Sequence, residues 1–386
     1  MMVTGRNETL GRRIRLGMVG GGNDAFIGGV HRIAARIDDR FELVAGALSS
    51  TPEKSRASGE ALGLPRIYDD FKEMAIREAR RKDGIEAVSI VTPNHVHYAA
   101  AKEFLKRGIH VICDKPLTST LADAKKMVKA AEASDALFIL THNYTGYPMV
   151  RQAREMIAKG DLGAIRVVQV EYPQDWLAVE QDFKQANWRT DPNQSGAGGS
   201  TGDIGTHAYN LACFVTGLEA ESLAADIQAF VPGRQVDDNA HVLLRFKGGA
   251  RGMLWSSQVA VGNENTLRLR VYGEKAGIEW SQEDPNYLWY TPFGEPKRLI
   301  TRNGAGAGEA AGRVSRIPPG HPEGYLEGFA TIYTEAAEAI IAARDGGLAP
   351  DGVVYPTVHD GLKGVQFVAA CVKSSSKNAA WVPLEG

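Results

Sequence analysis

The sequence predicts an α/β protein, with a doubly wound parallel sheet over residues 1–143 and a second domain over 144–386. Three observations predict it. Nearly continuous apolar segments of strand length alternate with segments of helical spacing, the pattern of strands covered on both faces. The stretches between those strands are long enough to carry the crossover helices that parallel pairing needs. Glycine, turn polarity and charge gather just after the apolar segments, where open α/β sheets bind ligands.

The elements follow in order. "IRLGMVG" (14–20) is an apolar strand running into glycines, and "VHRIAARI" (30–37) has helical spacing. "FELVAGALSS" (41–50) is the second strand. Thr51-Pro52 reads as an N-cap and a first-turn proline, and Gly63 as the stop of that helix. "RIYDD" fills the third strand position, ahead of the helix "FKEMAIREARR". "IEAVSIVTP" (85–93) is the fourth strand, followed by a helix over 94–108 capped by Asn94 and stopped by Gly108. "HVICDK" is the fifth strand, 119–134 a helix and "ALFILTHN" (136–143) the sixth strand.

Composition narrows the function classes. Of the 386 residues 44% are hydrophobic and 23% charged, as in soluble globular chains. A net charge of −2 supplies no field to capture nucleic acid or an anionic membrane, and no stretch has the length of a membrane span. Cys113, Cys213 and Cys371 are odd in number and widely separated, so they fit buried small side chains in a reducing cytoplasm. Residues 1–12 read as a polar, mobile tail. Its Arg12-Arg13 pair resembles a twin-arginine signal, but the apolar run behind it is short and has no cleavage site.

Gly20 and Gly22 have the spacing of a dinucleotide fingerprint, in which glycine lets backbone N–H groups approach a pyrophosphate. Gly28 supplies the third glycine after an insertion of about three residues, and Asp24 within that insertion is expected to point away from the phosphates. The second strand ends not in the acid that holds ribose hydroxyls but in Ser49 and Ser50, with Lys54 and Arg56 close behind. Small hydroxyls beside cations give a slight lean to NADP over NAD. After the fourth strand come Thr92, Asn94 and His97, and after the fifth Asp114, Lys115 and Pro116, on the same ligand-binding edge.

A second constellation lies in "SGAGGSTGDIGTHAYNLACFVTG" (195–217), a glycine run followed by apolar residues at helical spacing. A helix starting near Asp203 brings Asp203 and His207 onto one face, where a carboxylate can orient an imidazole for acid–base work. The same residues also fit an N-cap and a core histidine. Neither this pair nor His95 with His97 shows the further ligands of a metal site, so no metal is expected.

Three segments together resemble the Gfo/Idh/MocA (glucose–fructose oxidoreductase / inositol dehydrogenase / MocA) family: the glycine loop ending in His31, "VTPNHVHYAAAKEFLKRGIHVICDKPLT" (91–118) and "GGSTGDIGTH" (198–207). Where the family usually has Glu-Lys-Pro, this chain has Asp114-Lys115-Pro116. The resemblance implies a Rossmann domain, then an α/β domain with a large open, mostly antiparallel sheet. The strand-like "AIRVVQVEY", "AHVLLRF", "RGMLWSSQVA" and "NTLRLRVYG" agree with it, as does a long helix over 324–347. A broad sheet face of this kind implies a homodimer or homotetramer.

By the same resemblance Lys115, Asp203 and His207 are the catalytic set, and Asn94 and His97 touch the cofactor. His207 would accept the proton of a substrate hydroxyl while Lys115 hydrogen-bonds that oxygen and a hydride passes to nicotinamide. Tyr144, Trp176, Trp188, Arg189, Gln258, Asn263 and His321 are candidates for binding a sugar, sugar derivative or inositol, to whose rings aromatic faces and amides are suited. Two other functions stay open: a redox-assisted glycosidase or lyase with tightly bound NAD, and a non-catalytic dinucleotide sensor.

Overall fold

The computed structural model describes residues 12–23 and 25–384; the expected mobile tail through residue 11 and the expectation for Asp24 lie outside the described residues. Arg12 departs from the expected tail, since its Nη1 and Nη2 donate to the Glu86 carboxylate at 2.6 and 2.8 Å. The chain forms two compact units. One comprises the residues through 118 together with 122–146 and 325–362; the other comprises 119–121, 147–324 and the residues from 363 onward.

The first unit is built on six strands: β1 (Ile14–Gly20), β2 (Phe41–Ala47), β3 (Arg66–Ile67), β4 (Ala87–Val91), β5 (His110–Cys113) and β6 (Phe138–Leu140). They pair in the order β3-β2-β1-β4-β5-β6, parallel throughout. The crossovers carry α1 (Phe26–Ile37), α2 (Pro52–Ala61), α3 (Phe71–Glu78), α4 (His97–Leu105) and α5 (Leu121–Glu132). Sequence order reverses between β1 and β4, the switch point at which doubly wound sheets open a crevice. All five residues of β4 are buried, including Ser89. Asn94 opens a 3₁₀ turn over Asn94–Val96, so α4 starts three residues later than the sequence predicts.

The second unit holds a nine-stranded sheet of β7 (Ile165–Pro173), β8 (Ala220–Gln228), β9 (Asn239–Phe246), β10 (Arg251–Ser257), β11 (Arg268–Gly273), β12 (Ala276–Ser281), β13 (Tyr287–Pro292), β14 (Arg298–Thr301) and β15 (Val382–Pro383). The order is β14-β13-β12-β11-β7-β10-β9-β8-β15, antiparallel except where β7 meets β10. Ala240, Val242, Leu244 and Phe246 of β9 are buried, whereas His241 and Leu243 between them are exposed. With the sheet come α6 (Pro148–Ala158), α7 (Lys184–Thr190), α8 (Pro192–Ser195), α9 (Thr206–Thr216) and α10 (Glu309–Val314).

The long helix expected over 324–347 is α11 (Tyr325–Arg344). It belongs to the first unit and packs on α1, where Phe329, Ala330, Tyr333 and Ala337 join a buried cluster with Ile14, Val30, Ala34 and Phe41. The sequence division at 143/144 assigns this returning segment to the other half. Among the described residues no helix is long and apolar enough to cross a membrane.

Candidate active site

In the first unit the candidate residues stand at the carboxyl ends of β1, β2, β4 and β5. The β1–α1 loop is shaped by glycine. Gly20 and Gly21 have φ of +76° and +70°, in the left-handed region. A Cβ at Gly22 would lie 2.7 Å from Ser58 Oγ, and one at Gly28 only 2.4 Å from the Gly21 carbonyl oxygen. Gly28 therefore lets the first turn of α1 close onto the loop, which is the role of a third fingerprint glycine. The sequence reading passed over Gly21, although its backbone is as constrained as that of Gly20. Arg32 of α1 donates from Nη1 to the Gly21 carbonyl at 2.5 Å.

Beyond β2, Ser49 Oγ accepts from the Thr51 amide at 3.3 Å, and Ser50 and Lys54 are exposed. Arg56 donates from Nε and Nη2 to Asp69 at 2.9 and 2.5 Å. One of the two cations behind the lean to NADP is thus already paired with an acid.

After β4, Thr92 Oγ1 donates to the Pro93 carbonyl at 3.3 Å, and Asn94 is buried in its 3₁₀ turn. His97 is fully buried. Its Nδ1 and Nε2 each lie 2.9 Å from a carbonyl oxygen, of Pro116 and Thr92 respectively. The ring clamps the loop after β4 to the loop after β5, which makes it a support for both loops. Burial holds its pKa below the usual imidazole value, against the opposing pull of Asp114.

β5 ends directly in Asp114, Lys115 and Pro116, and the Lys115–Pro116 peptide is cis. The Asp114 amide donates to the Ile90 carbonyl at 2.9 Å, tying the segment to β4, and Thr141 Oγ1 donates to Asp114 Oδ1 at 2.9 Å. Burial pushes the Asp114 carboxyl up, but His31, whose Nε2 lies 3.6 Å away, and the charge of Lys115 outweigh it and hold the pKa at about 2. Asp114 is a carboxylate at every pH of interest. Tyr144, a candidate for substrate contact, is buried in the 3₁₀ turn Asn143–Gly146.

In the second unit Asp203 and His207 belong to consecutive but different helices. Residues Thr201–Gly205 form a π-helical turn that leads into α9 at Thr206, in place of one α-helix starting at Asp203. Asp203 Oδ2 accepts from Arg189 Nε at 3.1 Å and from Gln258 Nε2 at 3.0 Å. His207 is buried, with its ring edge-on to Tyr172 at 6.3 Å between centroids.

Asp237 holds the turn in place and escaped the sequence reading. Buried, it accepts from the Gly199 and Thr201 amides and from Ser200 Oγ and Thr201 Oγ1, each at 2.8 Å. A Cβ at Gly199 would lie 2.0 Å from the Asp237 carbonyl oxygen, which accounts for that glycine. The Asp237-Asp238 pair in the sequence hints at none of these bonds.

The loop candidates divide. Arg189 packs its guanidinium over Trp188 at 4.3 Å and lies 5.9 Å from the Trp176 ring, so one charge joins Asp203 to the aromatic residues. Trp176 Nε1 donates to Gln174 Oε1 at 2.9 Å, and Asn263 Nδ2 donates to the Ala260 carbonyl at 3.0 Å. His321 is exposed in a turn where its carbonyl, not its ring, is bonded by Arg302. Among the described residues no three His, Cys, Asp or Glu side chains group as a metal site requires.

Residues 14–142 match the family model described as "Oxidoreductase family, NAD-binding Rossmann fold", and 150–279 match the GFO/IDH/MocA C-terminal domain. The chain is similar to an oxidoreductase from Sinorhizobium meliloti of known structure, with 70% identity, a TM-score of 0.90 and coverage of 96% of this chain and 99% of that one. It is also similar to an inositol dehydrogenase homolog from Azotobacter vinelandii, solved with NADH and myo-inositol, at 37% identity and a TM-score of 0.91 over 97% and 98% of the two chains. A curated relative, the levoglucosan dehydrogenase of Pseudarthrobacter phenanthrenivorans, is 26% identical over 96% of this chain and 98% of its own.

Proposed function

This chain belongs to the Gfo/Idh/MocA family of NAD-binding oxidoreductases, and from that premise we propose that it oxidises a ring hydroxyl of an inositol or sugar, or reduces the matching ketone. The similarity to an inositol dehydrogenase homolog and to a levoglucosan dehydrogenase supports this substrate class. The observation that supports the reading most is the segment after β5, where a half-buried carboxylate directly precedes Lys115 on the ligand-binding edge of the sheet. The dinucleotide, when bound, supplies the nicotinamide that exchanges hydride with the reacting carbon.

The residues of the chain do the rest. Gly20, Gly21 and Gly22 leave the backbone bare for the pyrophosphate, and a Cβ at Gly22 would collide with Ser58 and the Leu48 carbonyl. Lys115 hydrogen-bonds the reacting oxygen and steadies the negative charge that develops on it. His207 takes the hydroxyl proton on oxidation and returns it on reduction. Asp203, fixed by Arg189 and Gln258, supports that exchange and orients a substrate hydroxyl. With Arg56 engaged by Asp69, NAD serves as well as NADP, with Lys54 the remaining cation for a 2′-phosphate. A second copy of the chain pairs with the open face of the nine-stranded sheet.

The test is nicotinamide absorbance with NAD and NADP against myo-inositol, levoglucosan and a panel of sugars. Turnover is expected with at least one, with kcat/KM for the two cofactors within about tenfold. Lys115→Ala and His207→Ala are each expected to lower kcat on the order of 10²–10⁴-fold, with the NADH Kd unchanged. No turnover across the panel, or a Lys115→Ala enzyme that keeps its kcat, rules the proposal out. Release of an aglycone with no net cofactor reduction would instead identify the elimination chemistry.

A further inference from the structure

Deep in the first unit, three polar side chains meet inside an otherwise apolar cluster. His31 of α1, Ser89 of β4 and Tyr333 of α11 are each buried to within 1%. Tyr333 Oη lies 2.8 Å from His31 Nδ1 and 2.8 Å from Ser89 Oγ, and Ser89 Oγ lies 3.2 Å from His31 Nδ1. Phe329 and Phe41 pack their rings against His31 and Tyr333. Taking three polar groups out of water is unfavourable, and leucine, alanine and phenylalanine would fill the same space without that penalty. Packing alone therefore does not account for them.

The group has one outlet. The other ring nitrogen of His31, Nε2, lies 3.6 Å from Asp114 Oδ1, the carboxylate next to Lys115. The approach of His31 Nε2 to Asp114 favours one direction for the chain. Ser89 donates to the Tyr333 oxygen, and Tyr333 donates to His31 Nδ1. A ring proton on His31 Nε2 then faces the carboxylate. The reverse assignment would aim a nitrogen lone pair at Asp114. From other directions Asp114 faces His97 of α4, Thr141 after β6 and Lys115 itself.

We propose that Tyr333, Ser89 and His31 are positioning residues that hold Asp114, and through it Lys115, in the reacting arrangement. The proposal rests on the role assigned to Lys115 above. It gives α11, which returns to the first unit from some two hundred residues downstream, a part in the reaction: it delivers one hydroxyl to the chain.

Tyr333→Phe keeps the ring and its packing and removes only the oxygen. With myo-inositol and NAD, kcat is expected to fall about tenfold, with KM and the NADH Kd within about twofold and the melting temperature nearly unchanged. In an Asp114→Asn background the same substitution is expected to change nothing more, because it acts through that carboxylate. Asp114→Glu keeps the charge and is expected to keep the dependence on Tyr333, which guards against an Asn variant that fails to fold. A Tyr333→Phe enzyme with full kcat, or an effect that multiplies with Asp114→Asn, overturns the proposal. Imidazole nitrogen NMR reads the ring without turnover. His31, assigned by its loss in His31→Gln, is expected to carry its proton on Nε2, and a bare Nε2 overturns the proposal. If Lys115→Ala stays active, the catalytic reading fails; if Lys115→Ala is dead and Tyr333→Phe is not, only this inference fails.

Discussion

At the scale of single residues, burial decides which histidines can carry charge. His142 follows β6 and is 2% exposed. Burial pushes its pKa down from 6.5 to about 4; Asp360 and Asp114 pull it up, and Lys115 pushes it down. The native state keeps this ring neutral, while the unfolded chain protonates it. The associated stability is therefore complete above about pH 6.5 and is lost as pH falls toward 4, by roughly 3 kcal/mol in all. His142→Gln is expected to lose less stability over that window, and denaturant titrations of both proteins at a series of pH values check it. Parallel curves would show that His142 is not held neutral. None of this is legible in "THN", where a histidine after a strand reads the same buried or exposed. The place of Lys115 was legible, because a charge directly after an apolar parallel strand falls on the carboxyl edge of the sheet. Arg56 was legible only as a cation; its pairing with Asp69, thirteen residues away, was not.

At the scale of elements, the strand–helix alternation carried the six-stranded sheet, since covered parallel strands have to be apolar along their whole length. The second sheet was less open to reading. β7 is rich in β-branched and aromatic residues, whereas β8 reads "AESLAADIQ", with low strand propensity, and is made a strand by its partner β9. The π-helical turn at Thr201–Gly205 was likewise hidden, because it depends on Asp237 arriving from 36 residues beyond Thr201. The glycine loop was legible in kind, and its geometry gives a sharp test. A methyl group at Gly28 would meet Gly21 at 2.4 Å, whereas one at Gly29 meets only Arg32 Nη2 at 3.9 Å. Gly28→Ala has to push α1 off the loop, at a cost of about 1–3 kcal/mol, and is expected to weaken NADH binding by about tenfold. Gly29→Ala is expected to leave both unchanged. Thermal denaturation and NADH fluorescence titration of the pair check this, and equal behaviour of the two variants would refute the close-approach role.

At the scale of the whole molecule, the nine-stranded sheet presents a second face whose chemistry is uneven. Paired register carries Leu243 of β9 to Met253 of β10 and on to Gln169 of β7, while at the far side Trp289 of β13 pairs with Leu299 of β14. Leu243, Trp289 and Leu299 are 53%, 40% and 42% exposed. Between these apolar ends Arg270 bonds Glu171 at 3.2 Å, so the middle of the face is polar but internally neutralised. An apolar rim around a neutralised centre has little reason to stay in water and can pair with a copy of itself about a twofold axis, each Leu243 edge meeting the Trp289 edge of its partner. The expected outcome is a homodimer or homotetramer in multi-angle light scattering at micromolar protein. Leu243→Glu places a charge at that contact and is expected to lower the mass by half or more while the circular dichroism spectrum stays the same. A wild-type protein that runs as a monomer, or a Leu243→Glu variant of unchanged mass, would remove the sheet face as the pairing surface.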